Sequence, residues 1–70
     1  MVRVKFIKQW EDMGQVFKLN QVITISNHSW LESEKNNSDF VRYGINNISK
    51  AHIAPFASDI EILKLEQKYN

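Results

Sequence analysis

A chain of 70 residues without a single cysteine has only buried apolar surface to hold it in shape. No disulfide can staple the fold, and a domain this small removes only about 60% of its unfolded surface from water. Its aliphatic and aromatic residues must therefore form an efficient core, or the chain must share one by self-association. The length fits a single domain spanning residues 1–70. Apolar residues make up 43% of the chain and charged residues 24%, a mix that supports a core and argues against disorder throughout.

Hydrophobic periodicity points to β structure. Val2-Arg3-Val4-Lys5-Phe6-Ile7-Lys8 alternates at period two, predicting a strand with Val2, Val4 and Phe6 inward and the cations outward. Glu11-Asp12-Met13-Gly14 interrupts it as a turn, and Gln15–Lys18 resumes a strand. Leu19-Asn20-Gln21 reads as a short turn in which Asn20 is best suited to a left-handed conformation. Val22-Ile23-Thr24-Ile25-Ser26 is dense in β-branched residues, which pack well on a pleated surface. The polar stretch from Asn27 to Ser38 predicts a loop interrupted by Trp30-Leu31, and Asp39–Ile45 a further strand closed by a turn at Asn46-Asn47. Lys50–Ile53 fits a strand, while Pro55 suits a tight turn or a 3₁₀ segment. The C-terminal stretch admits two structures. Asp59–Leu63 alternates as a closing strand would, yet Ser58-x-x-Glu61 has the capping-box form and no helix breaker follows as far as Tyr69.

Two of these stretches resemble the landmarks of SH3-like small barrels. Phe17-Lys18-Leu19-Asn20-Gln21-Val22-Ile23-Thr24-Ile25 is similar to the family's diverging turn, with Asn20-Gln21 where Gly-Asp is usual. Pro55-Phe56-Ala57-Ser58-Asp59-Ile60-Glu61-Ile62-Leu63 is similar to its ending, a Pro-led 3₁₀ turn delivering a last short strand. The resemblance covers about half the chain and implies a mainly-β barrel of about five strands, with a short 3₁₀ or helical segment near the C-terminus. It does not extend to proline-rich peptide binding. The paired tryptophans and final Ser-Asn-Tyr of those domains are replaced here by Phe40-Val41 and Ala57-Ser58-Asp59.

Composition narrows the functional classes. Nine basic and eight acidic residues give a net charge of +1, without the clear basic excess of a dedicated DNA-binding domain or the acidity of a DNA mimic. The N-terminus lacks the basic patch and apolar run of a signal peptide, and no stretch approaches the roughly 18–20 apolar residues of a membrane span. A cytoplasmic protein without membrane association is expected. Richness in Asn, Lys and Ile suggests an AT-rich coding source such as a phage, plasmid or low-GC bacterium. His28 and His52 are the only histidines; with Glu32 or Asp39 they form no ligand cluster, so no metal or other cofactor is expected. His28-Ser29 are chain neighbours, a poor geometry for a base to activate that hydroxyl. The acids Glu32/Glu34 and Asp59/Glu61 read as solvated charge, and Gly14 and Gly44 make no phosphate loop. An enzyme is not expected.

What remains is binding. Phe6, Phe17 and one tryptophan are assigned to the core; Trp30, in the polar stretch, is read either as a surface aromatic or as a loop anchor packing back on the core, since both roles draw on the same residues. The expectation is an interaction module contacting a protein partner through Trp30, Phe40, Arg42 and Tyr43, regulatory or inhibitory if a phage or mobile element encodes it. The alternative is nucleic-acid binding through Arg3, Lys5, Lys8 and Lys18, with Trp10 as a stacking platform. Against it, cations on a first strand also serve to keep a sheet edge unpaired. Homo-oligomerisation through open strand edges is a third candidate.

Overall fold

The computed structural model describes residues 1–69. Strand is its commonest regular structure: β1 (Val2–Phe6), β2 (Trp10–Asp12), β3 (Gln15–Phe17), β4 (Val22–Ile25), β5 (Phe40–Tyr43), β6 (Asn46–Ser49) and β7 (Ile53–Pro55). Helix α1 (Asn27–Lys35) separates β4 from β5, a 3₁₀ turn at Lys50–His52 leads into β7, and helix α2 (Ala57–Tyr69) follows. The strands make three antiparallel sheets, ordered β4-β1-β7, β2-β3 and β5-β6, and no ladder among the described residues closes them into a ring. No helix among those residues is long and apolar enough to cross a membrane.

The alternation in β1 does what it predicts: Val2, Val4 and Phe6 are fully buried while Arg3 and Lys5 stay exposed. β1 lies at the centre of its sheet, so its cations do not guard an edge. Ile23, Ile25, Ile53, Phe17, Val41, Ile48, Trp30 and Leu63 complete the core, drawing on every sheet and both helices. Asn20 takes a positive φ of 70°, closing the turn in which Gln21 N–H donates to the Lys18 carbonyl at 3.1 Å.

Several segments depart from expectation, each for a local reason. Glu11–Gly14 is not all turn. Trp10–Asp12 forms a strand, and Met13 (φ 51°) and Gly14 (φ 79°) make a two-residue hairpin loop with the left-handed pair of a type I′ turn. The next hairpin turns at Gly44-Ile45 rather than Asn46-Asn47; Gly44 supplies the positive φ of 63°, and Asn46 pairs with Tyr43 inside the ladder. Asn27–Lys35 is a helix, not a loop. Ser26 caps it by accepting the Ser29 N–H at 3.1 Å. At its other end Asn37 is left-handed at φ 52°, and Ser38 N–H reaches the Ser33 carbonyl at 2.8 Å, while Asn37 N–H donates to the Glu34 carbonyl at 3.1 Å. That is a Schellman ending built with Asn instead of Gly.

The C-terminal stretch is helical, which excludes the closing strand at Asp59–Leu63. Ile60 and Leu63 turn toward the core, and Asp59 in the first turn holds the Arg3 guanidinium at 3.2 Å. The 3₁₀ turn precedes Ile53 instead of starting at Pro55, which ends β7 opposite Val4 on an edge strand where its missing donor costs no ladder bond.

Met13 carries a cost that the sequence can relieve. A non-glycine residue in left-handed geometry is strained by about 1–2 kcal/mol, less for Asn. Met13 is 72% exposed, so its side chain contributes little packing. Met13→Asn creates the favoured Asn-Gly loop and is expected to stabilise the chain by about 0.5–1 kcal/mol, a rise of roughly 3–6 °C in melting temperature. An unchanged or lower melting point would contradict the I′ assignment.

Candidate functional site

The β5–β6 hairpin sorts its side chains by face. Val41 lies opposite Ile48 and Tyr43 opposite Asn46 on the inner face; Phe40 lies opposite Ser49 and Arg42 opposite Asn47 on the outer one. Helix α1 runs alongside, and between it and the outer face opens a groove of about 340 Å³. His28, Glu32 and Asn36 come from one side of the helix at i, i+4 and i+8; Phe40, Arg42 and Asn47 come from the hairpin.

Local bonds hold these walls in place. Ser38 Oγ accepts the Phe40 N–H at 3.1 Å, tying the end of the helix to the start of β5. Arg42 Nε donates to the Gly44 carbonyl of its own turn at 3.2 Å, which orients the guanidinium. Along the helix wall, Asn36 Nδ2 donates to Glu32 Oε1 at 3.4 Å. Ser26 and Ser29 hydroxyls bond to each other at 2.9 Å, so Ser29 is engaged by its cap and not by His28. Phe40 is 46% exposed, a large aromatic ring at the groove wall.

The four residues expected to form one contact face are therefore divided. Phe40 and Arg42 meet in the groove. Trp30 is only 6% exposed: it sits on the core side of α1, with Lys50 Nζ 4.9 Å above its ring and Lys50 in turn paired with Glu34 at 3.0 Å. Tyr43 is half-buried, edge-on to Phe17 at 5.9 Å. Neither belongs to a solvent-facing patch with Phe40. His28, Glu32 and Asn36 join the groove, and the sequence alone does not mark them as contact residues, because their place depends on a helix that the polar composition conceals.

The basic group is also divided. Arg3 is engaged by Asp59 and lies 5.1 Å from the Phe56 ring centroid. Lys5 stands exposed on the outer face of the central strand, and Lys8 and Lys18 are exposed beside turns. Trp10 is no free stacking platform. Its indole N–H donates to the Asn47 carbonyl at 3.0 Å, and its ring packs against His52 at 4.8 Å and Phe40 at 6.2 Å.

A second groove, of about 300 Å³, lies between α1 and α2 over Trp30, Leu31, Ile60 and Leu63. Its floor is the core itself. Among the described residues no group of three or more His, Asp or Glu side chains is placed to hold a metal ion. No protein-family model, curated protein or solved structure matches the chain.

Proposed function

We propose that this chain is a small non-catalytic interaction module that binds a protein partner through the groove between α1 and the β5–β6 hairpin. The observation that carries the reading is the conjunction of Phe40, an exposed aromatic, with Arg42, an oriented guanidinium, at the wall of one open concave surface. Aromatic and Arg side chains dominate the energetics of protein interfaces, and Phe40 keeps 46% of its surface in water although its ring meets Trp10 at 6.2 Å. An SH3-like organisation is part of the proposal. It is supported by the 3₁₀ turn that delivers β7 and by the pairing of β7 with β1. A regulatory role encoded by a phage or mobile element fits the richness in Asn, Lys and Ile, and a cytoplasmic setting is proposed with it.

The test is affinity capture from lysate with and without nuclease, comparing the parent chain with Phe40→Ala and Arg42→Ala. A protein retained after nuclease and lost with either substitution is the expected result. Equal retention on all three chains would place the contact elsewhere.

One observation favours a second reading. Lys5 is exposed in the middle of a sheet face, where edge protection gives it no purpose, and Lys8 and Lys18 are exposed as well. Nucleic-acid binding by these cations requires retention on heparin that falls steeply with added salt. A chain that elutes at low ionic strength rules it out.

A further inference from the structure

Resting on the reading of the groove as a protein site, we infer that its partner presents an extended segment carrying one carboxylate. That carboxylate sits on the terminal guanidinium nitrogens of Arg42, and an apolar side chain two positions away packs on Phe40.

The argument starts from how Arg42 spends its donors. Nε is used on the Gly44 carbonyl at 3.2 Å, which fixes the plane of the group. The two terminal nitrogens have no hydrogen-bond partner among the described residues, and no carboxylate there lies within ion-pair distance of them. Arg3 and Lys50, by contrast, are each already paired with an acid. A guanidinium with its plane set and its terminal edge open matches a carboxylate in the two-bond geometry that Lys cannot reproduce.

Phe40 stands two residues before Arg42 on the same face of β5, a separation of about 6.6 Å along a strand. An extended peptide laid along the groove repeats that spacing between its own alternate side chains. The matching segment therefore has an acidic residue and an aromatic or aliphatic residue with one residue between them.

Glu32 on the facing wall decides against a nucleic acid here. A phosphate chain needs several cations along its path, and this groove offers one guanidinium opposite a carboxylate. One acid beside an apolar side chain satisfies Arg42 without placing a row of negative charge along Glu32.

The experiment is selection from a random-peptide display library on the whole chain, followed by affinity measurement of single enriched peptides. Arg42→Gln, Arg42→Lys and Phe40→Ala are measured in parallel; their melting temperatures check that these exposed positions leave the fold intact. Enriched peptides should share an acidic residue two positions from an apolar one. Their affinity should fall about tenfold or more with Arg42→Gln and recover only in part with Arg42→Lys. Peptides that depend on Phe40 but ignore both the acid and Arg42→Gln would overturn this inference and leave the groove as the protein site. Peptides that bind all the variants as they bind the parent would overturn the groove reading itself, and a library that enriches nothing counts against both.

Discussion

Replacing Trp30 with alanine should cost the fold about 3–5 kcal/mol, the range for emptying a buried aromatic site. A chain of this length has a total stability of roughly 4–10 kcal/mol, taking about 0.05–0.15 kcal/mol per residue. The variant should therefore be partly or wholly unfolded near room temperature, with its urea midpoint displaced or its transition lost. The physical reason is position. Trp30 is the one large buried apolar side chain that α1 offers, and without it the helix keeps only the half-buried Leu31 as a large apolar attachment. Phe40→Ala is the control, since that ring is 46% exposed and its removal should cost less than about 1 kcal/mol. If Trp30→Ala proved no more damaging than Phe40→Ala, the placement of α1 on the core would be wrong. The pair also separates two roles that sequence alone merges: large aromatics serve cores and contact surfaces equally well, and only burial tells them apart.

What the chain reveals of itself depends on whether a segment's apolar residues are numerous enough to show a period. β1 and β4 are legible because Val2, Val4, Phe6, Ile23 and Ile25 all bury at alternate positions. α1 is illegible for the opposite reason. Its only large apolar residues are Trp30 and Leu31, and two neighbours cannot display a helical stripe. Both of its ends use Ser and Asn, the residues that also make loops: Ser26 as cap, Asn37 as the left-handed stop. α2 misleads differently. Ile60, Ile62, Leu63 and Leu65 include a strand-like alternation, yet the helix buries Leu63, half-buries Ile60, and leaves Ile62 and Leu65 more than half exposed. The site follows the same logic. Period-two geometry alone puts Phe40 and Arg42 on one face of a strand and Tyr43 on the other, so half of the groove could be read from Asp39–Ile45. The other half, His28, Glu32 and Asn36, became a wall only once the polar stretch had coiled into a helix.

Phe17→Ala should be as costly as Trp30→Ala, about 3–5 kcal/mol, and for a more global reason. The three sheets are separate ladders, and side chains join them. Phe17 belongs to the β2–β3 hairpin, stacks on Phe6 of the central sheet at 4.8 Å with the rings 6° from parallel, and meets Tyr43 of the β5–β6 hairpin edge-on at 5.9 Å. Each aromatic pair contributes about 0.5–1.5 kcal/mol beyond the area it buries. The polar links between the hairpins, Trp10 Nε1 to the Asn47 carbonyl and the Asn47 N–H to Asp12 Oδ2, lie at exposed positions. Bonds that water can replace contribute little net stability, so apolar contacts carry the coupling between the sheets, and Phe17 is a buried side chain of one sheet whose ring meets aromatic rings of the other two. The milder substitutions Phe17→Leu and Tyr43→Leu, combined in a double-mutant cycle, should give an interaction energy within that same range of about 0.5–1.5 kcal/mol. Hydrogen exchange adds a second readout. In the parent the β2–β3 amides should open together with those of β1, whereas in Phe17→Ala they should exchange first. A coupling energy near zero, or hairpin amides that already open independently in the parent, would show that the sheets are held together by something other than this ring.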